Sequence, residues 1–351
     1  MKVFRGFHHR GIAPACALTI GNFDGVHRGH QAMLALLRSE AQQRGLPSCV
    51  LTFEPHPRDY FAAVARDASL APARVATLRD KLADLQRCGI DQVVILPFDA
   101  RLAALSPQAF IDEVLVRGLG ARYVLVGDDF RFGARRAGDY ALLDAAGTAC
   151  GFDVARMNSY EVHGLRVSSS AVRAALAEGR MDDAARLLGH PYHISGHVLH
   201  GRKLGRELGF KTLNLRFAHW KPAASGIFAV WVHGLTEPPP GHAGAAGSQA
   251  HGQPLRGVAN LGVRPSLDAN DVNGGRVLLE THCLDWPAAL GAEGAYGKIV
   301  RVELLHKLHD ELKYDSLAAL QAGIARDCED ARAYFASMHA ETSRQTTRDR
   351  I

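Results

Sequence analysis

Apolar residues in the first half of the chain fall into two kinds of run, and their alternation defines a fold class. Short, largely apolar stretches at Ala15–Ile20, Ser48–Phe53, Asp91–Phe98 and Arg122–Val126 have the length of buried strands. Between them, apolar residues recur at helical spacing: Met33, Leu34 and Leu37; then Val75, Leu78, Leu82 and Leu85; then Phe110, Ile111, Val114 and Leu115. Strand and helix in repeated succession predict an α/β unit with a mostly parallel, doubly wound sheet. Ligands of such a sheet sit beyond the carboxyl ends of its strands. Met181–Leu188 reads as a connecting helix, broken at Pro191. The pattern then changes to short alternating runs at Tyr192–His200, Gly226–His233, Leu255–Leu261, Val277–Cys283 and Ile299–Leu305. Separated by glycine and proline turns, they predict a compact β-barrel. Thr236–Gly252, rich in Pro, Gly and Ala, reads as a hairpin loop. A last helix is expected from Ser316 to about Phe335, packing through Leu317, Leu320, Ile324 and Cys328. The expected domains are residues 1–187 and 188–351.

Composition agrees with two globular domains and narrows the class. The length of 351 residues suits about two cores, and a 47% hydrophobic fraction supplies them. A net charge of +5 fits anionic small ligands, whereas the lack of a long basic tract argues against a nucleic-acid protein. The six cysteines lie far apart with no C-x-x-C pair, which argues for reduced, mostly buried thiols. No apolar signal region opens the chain and no run approaches about 18 apolar residues, so a cytoplasmic protein without membrane contact is expected. No obligate protein partner is evident.

Chemistry-bearing residues gather where the predicted strands end. Gly21–His30 (G-N-F-D-G-V-H-R-G-H) joins a strand to a helix, where glycines allow close backbone approach and helix-end N–H groups can face a phosphate. His27 and His30 add side-chain donors, while Asp24 beside a phosphate requires either Mg²⁺ or a cation nearby, or is a structural turn cap. His56 lies in a proline-stiffened loop after the next strand. Gly127–Gly133 (G-D-D-F-R-F-G) and the arginines after it form another strand-end loop, in which Phe130 and Phe132 can pack or stack. In Gly164–Arg173, Ser168 or Ser169 can cap a helix one turn ahead of Arg173. Gly201–Leu215 (G-R-K-L-G-R-E-L-G-F-K-T-L-N-L) is a cationic glycine loop leading to the oxygen ligands Thr212 and Asn214. Glu280 lies on the same strand face as Leu278.

In order and spacing these blocks resemble the bacterial bifunctional riboflavin kinase/FMN adenylyltransferase (FAD synthetase) family over about residues 15–335. The resemblance implies a nucleotidyltransferase domain, then a riboflavin-kinase barrel and a C-terminal helix. It implies that ATP phosphorylates riboflavin to FMN and then adenylylates FMN to FAD, with Mg²⁺ assisting. In the first domain it places Gly21, Asn22, Phe23, Asp24, Gly25, His56, Asp129, Phe130, Arg136 and Ser169 around FMN and ATP, with His27, His30 and Arg173 as the catalytic clamp. In the second it assigns Gly201, Arg202, Gly205 and Arg206 to nucleotide binding, and Thr212 and Asn214 to phosphate and metal. Asn260 and Arg264 belong to the next block, and Glu280 is the base that receives the riboflavin hydroxyl proton. Lys211 stands where the family usually has proline, and in H-K-L-H-D-E-L-K-Y, His309 and Tyr314 replace an arginine and a phenylalanine. Two other readings remain open at this point: an adenylyltransferase for a different phosphorylated metabolite, and a flavin-binding regulator with degenerate sites.

Overall fold

The computed structural model describes residues 1–158, 160–162, 165–200, 209–236, 252–264, 276–291 and 293–348. The chain divides into two compact units, Met1–Ala73 with Lys81–Ala171, and Arg74–Asp80 with Val172–Ile351.

The first unit is built on strands β1 (Lys2–Arg5), β2 (Cys16–Ile20), β3 (Ser48–Glu54), β4 (Gln92–Pro97), β5 (Ala121–Gly127) and β6 (Asp153–Met157). They form one sheet in the order β1-β4-β3-β2-β5-β6, and every pairing is parallel. All five residues of β2 are buried, and β3 to β5 are nearly so. That is why they read as continuous apolar runs: crossover helices cover both faces of a parallel sheet. The edge strands β1 and β6 escape such a reading because β1 buries only Phe4 and β6 has no fully buried residue. Helix α1 (Arg28–Gln43) leads from β2 to β3 and buries Leu34, Leu37 and Ala41. Phe110, Ile111, Val114 and Leu115 are all buried, in a π-helical stretch, Phe110–Gly118, which follows the short helices α4 (Ala100–Ala104) and α5 (Pro107–Ala109), while α6 (Tyr140–Cys150) leads from β5 to β6. Val75 is buried but precedes α3 (Leu78–Arg87), so the predicted stripe is split between a loop and a helix. The chain grows from β2 through β3 and β4 to one side, then returns past β2 to lay down β5 and β6. The reversal puts a topological switch point at the carboxyl ends of β2 and β5.

The first unit also holds a short hairpin, β7 (Glu161–Val162) and β8 (Leu165–Arg166); the second unit contains β9 (Tyr192–His197), β10 (Thr212–Arg216), β11 (Gly226–His233), β12 (Leu255–Arg264), β13 (Arg276–Cys283) and β14 (Ile299–His309). These six strands pair antiparallel in the order β10-β13-β12-β11-β14-β9. Leu199, just after β9, donates its N–H to the Asn214 carbonyl at 2.8 Å and so brings the two edges of the sheet together as a barrel. Helix α7 (Ser169–Ala177) precedes α8 (Met181–Leu188), which ends on Gly189 in the left-handed region (φ 83°); the stop comes two residues before Pro191. Residues Arg74–Asp80 belong to this unit through backbone hydrogen bonds of Arg74 with Lys221 and Ala223, and through Asp80, which accepts from the Ser195 N–H at 3.2 Å.

Side chains alternate along β10 to β13, while β14 pairs with β11 through two register shifts, at Ile227/Phe228 and Ala229/Val230. Phe228, Val230 and Val232 point inward with Leu213, Leu215, Leu261 and Leu279, all of them buried. On the outer face Ile227, Ala229 and Val258 are covered by Cys328, Ala331 and Phe335 of α9 (Leu317–Arg348), and the Trp231 and Phe335 rings meet at 4.8 Å. Burial of a side chain such as Phe335 contributes about 1.5–3 kcal/mol, so a few anchors suffice to fix the helix. Ile324 and Cys328 serve that packing as expected, whereas Leu317 is 59% exposed at the helix start and does not. Among the described residues no helix is long and apolar enough to cross a membrane.

Candidate active sites

The Gly21–His30 turn occupies the switch point. Gly21 donates to the Leu51 carbonyl at 3.0 Å, and Thr52 donates through its hydroxyl to the Asn22 carbonyl at 3.3 Å, so β3 fixes the turn as it leaves β2. Three positive φ angles within four residues force the tight path: Phe23 at 48°, Gly25 at 87° and Val26 at 31°. Only Gly25 adopts that region without strain, and strained residues of this kind persist where surrounding packing holds them. Phe23, Asp24 and Val26 are buried, so the packing is present. His27 then caps α1: its Nδ1 accepts from the His30 N–H at 3.3 Å. A neutral ring used in this way carries its proton on Nε2, leaving that atom as a donor. The His27 and His30 rings stack with centroids 3.6 Å apart, and Phe23 lies 4.9 Å from His30. No acidic residue stands in the first turn of α1, so the helix end keeps its positive potential toward an anion.

Neighbouring strand ends add to the same rim. His56, at the end of β3, caps α2 (Pro57–Ala65) by accepting from the Arg58 N–H at 3.1 Å, the same Nδ1 role as His27. After β5, Phe130 and Phe132 stack on each other at 5.3 Å and Phe132 reaches Phe110, so the pair packs into the core. Asp129 and Arg136 are exposed, and Asp128 lies 3.5 Å from Arg166. Of the two serines that could cap α7, Ser168 does so, accepting from the Ala171 N–H at 3.2 Å. Ser169 instead donates to the Asp24 carbonyl at 3.0 Å, tying the start of α7 to the glycine turn. Arg173 is half-buried on α7, one turn after Ser169. Sequence reasoning missed the capping roles of His27 and His56; their place just before a predicted helix was the available signal.

On the barrel, strand register assembles a second polar site. Asn214 of β10 pairs with Glu280 of β13, and Glu280 pairs with Asn260 of β12. Directly paired residues point to the same side, about 5 Å apart, so the carboxylate stands between two amides on the outer face. The next row pairs Thr212 with His282, whose Nδ1 lies 2.8 Å from the Lys211 carbonyl. Burial lowers the His282 pKa, which keeps the ring neutral with Nδ1–H as the donor to that carbonyl. Asn214 is buried, and the amide oxygens of Asn214 and Asn260 meet no donor among the described residues. Leaving such oxygens unmatched costs about 1–3 kcal/mol each, which points to a ligand or cation as their partner. Thr212 and Asn214 supply the hard, neutral oxygens that suit Mg²⁺. Gly201, Arg202, Lys203, Gly205, Arg206 and Ser266 lie outside the described residues, and so does most of the predicted hairpin loop. Arg264 is described only as the last residue of β12.

Comparison with known proteins follows the same division. Residues 10–171 match the family described as FAD synthetase and residues 188–335 the family described as riboflavin kinase. The bifunctional riboflavin kinase/FMN adenylyltransferase of Escherichia coli (strain K12) is 44% identical over 337 residues, covering 95% of this chain and 98% of that protein. The protein of the same description from Pseudomonas fluorescens is 43% identical, covering 96% and 98%, and that from Haemophilus influenzae is 39% identical, covering 96% and 100%. A crystal structure described as a macrolide-efflux protein from Streptococcus pneumoniae superposes with a TM-score of 0.68 at 24% identity, over 95% of this chain and 99% of that one, a likeness of fold. With both domains matched in order and near-complete coverage of its relatives, the chain belongs to the bifunctional riboflavin kinase/FMN adenylyltransferase family.

Proposed function

We propose that the chain makes FAD in two ATP-dependent steps, phosphorylating riboflavin in the barrel unit and adenylylating FMN at the switch point of the parallel sheet. The observation that carries this reading is the cross-strand row Asn214–Glu280–Asn260, a carboxylate held between two amides whose oxygens are buried, on a barrel matched to riboflavin kinase. In the first step the riboflavin primary hydroxyl oxygen bonds to the γ-phosphorus of ATP, the bridging bond to the β-phosphate breaks, and ADP leaves. Glu280 accepts the hydroxyl proton, with its position fixed by both neighbouring strands. Thr212 and Asn214 would hold Mg²⁺, which when bound offsets phosphate charge.

In the second step an FMN phosphate oxygen attacks the α-phosphorus of ATP, and diphosphate leaves. The nucleophile is already anionic, so no base is required. The chain's contribution is alignment and charge stabilisation: the N-terminus of α1 with its positive potential, the Nε2–H of His27 and His30 beside it, to which the family resemblance adds Arg173. Gly21, Asn22, Phe23, Asp24, Gly25, His56, Asp129, Phe130, Arg136 and Ser169 shape the surroundings, Ser169 by bracing the Asp24 carbonyl. The substrates are small flavins and ATP, and a cytoplasmic location suits both. Incubation with riboflavin and Mg²⁺–ATP, with flavins separated chromatographically, tests the reading. FMN and FAD are expected in succession. Absence of FMN from riboflavin, or of FAD from supplied FMN, would remove the corresponding step.

A further inference from the structure

The row that holds Glu280 runs on across the barrel. Asn260 pairs with Ile227 of β11, and Ile227 pairs with His309, the last residue of β14. His309 is therefore on the same outer face, at the far end of the row, where the chain leaves the barrel for α9. Both nitrogens of its ring meet acceptors. Nδ1 lies 2.7 Å from the Asp310 carbonyl oxygen and Nε2 lies 2.8 Å from Oδ1 of Asp327, a largely buried carboxylate on α9. A carbonyl and a carboxylate can only accept, and a neutral imidazole has a single N–H. Satisfying both contacts takes two N–H donors, which only the imidazolium has.

What this contact holds in place is the segment between β14 and α9. Beyond His309 the chain folds back over the sheet, so that the Glu311 carboxylate lies directly against Gly262 of β12, where any side chain at 262 would strike it. Gly262 is two residues from Asn260 and shares its face. The other end of the segment is fixed by the Tyr314 hydroxyl, packed against Gly323 of α9. The segment thus borders the row of Asn260 and Glu280, with His309 tying its start and Tyr314 and Ser316 its end to α9.

We propose that His309 is a positioning residue of the riboflavin-kinase site: as an imidazolium it latches the 310–316 segment and α9 over the Glu280 row, and the latch loosens when the ring loses its proton. This rests on reading the Glu280 row as the kinase site. The groups facing His309 favour the charged ring. Asp327 and Asp330 approach from α9, Asp310 follows on its own segment and is paired with Lys307, and on β11 its neighbours are the apolar Ile227 and Gly226. Partial burial alone would lower the His309 pKa; the bonds to Asp327 and Asp310 outweigh it and raise the pKa above the ordinary value. The latch is closed below that raised pKa and opens as pH climbs through it. An arginine at 309 would keep two donors at every pH.

The test is riboflavin phosphorylation by the full chain between pH 6 and 9, with KM and kcat resolved, for the parent, His309→Arg, His309→Gln and Asp327→Asn. In the parent, riboflavin KM should rise about tenfold across the alkaline limb while kcat changes little, equivalent to about 1.4 kcal/mol of binding. His309→Arg should remove the limb, and His309→Gln and Asp327→Asn should show the raised KM already at pH 6. FAD formation from supplied FMN should keep one pH profile in all four, and thermal unfolding checks each fold. An unchanged limb in His309→Arg, or a parent-like KM in His309→Gln at pH 6, overturns the latch. Glu280→Gln assayed alongside separates the two ideas: if it phosphorylates riboflavin normally, the site reading fails and the latch with it, whereas its inactivity beside a pH-independent parent KM defeats the latch alone.

Discussion

Glu280→Gln separates chemistry from structure because of where the side chain stands. Glu280 is paired on one side with Asn214 and on the other with Asn260, and both amide oxygens meet no donor among the described residues. A glutamine amide at 280 retains the shape of the carboxylate and brings an N–H₂ within reach of those oxygens. Each new hydrogen bond would contribute about 1 kcal/mol, which offsets the contacts that the carboxylate itself gives up. The same change removes the proposed base. Positioned acid–base catalysis supplies about 10²–10⁴-fold, and the loose transition state of phosphoryl transfer, which asks little of a base until late, favours the lower end. Riboflavin phosphorylation should therefore fall roughly 10²-fold, a barrier increase of about 2.7 kcal/mol, with kcat carrying the loss. The assay is initial-rate FMN formation at saturating Mg²⁺–ATP, corrected for folded protein by thermal unfolding, with FAD formation from supplied FMN as an internal reference. FAD formation should stay near the parent rate. Fast phosphorylation in a folded Glu280→Gln variant would assign the base elsewhere, and equal loss of both activities would contradict the separation of the two sites.

Substitution of His30 or Arg173 by Ala should lower FAD formation from FMN by at least about tenfold and spare riboflavin phosphorylation, since each donor lost from an anion site leaves developing charge less stabilised; the two activities assayed separately decide it. Ser168→Ala should cost about 1 kcal/mol of stability in urea unfolding through loss of the α7 cap to the Ala171 N–H, and no loss would show that the helix start is held by other contacts. Glu303 tests pH dependence in the acid direction. Burial would raise its pKa, but His233 at 3.1 Å and Arg301 more than offset this and hold it below the ordinary value. With a folded pKa below the unfolded one, its contribution is present above the unfolded value and lost as pH falls through the folded one. Denaturant unfolding at stepped pH should then show a shallower acid decline in Glu303→Gln than in the parent, and parallel curves would refute the assignment.

The parallel sheet was legible because its central strands are buried on both faces, which leaves an unbroken apolar run in the sequence for each of β2 to β5. Strands β1 and β6 lie at the edges and bury too little to leave that trace. The candidate site in the first unit was legible for a related reason: glycines and a histidine pair at a strand end announce a tight turn and a helix start. The particular work of each residue was not. Ser168 and Ser169 look interchangeable in sequence, yet one caps α7 and the other braces the Asp24 carbonyl, a contact spanning 145 positions. The barrel site illustrates the limit more sharply. Asn214, Asn260 and Glu280 come from three strands, and only the register between those strands places them in one row. A slip of one residue in β13 would turn Glu280 into the barrel interior and bring Leu279 to the outer face, so the catalytic assignment depends on a pairing that no local pattern encodes. The resemblance of the surrounding blocks pointed to Glu280, and the register supplies the physical reason: the fully buried inward neighbours Leu279 and Thr281 leave the carboxylate no orientation except outward, between the two amides.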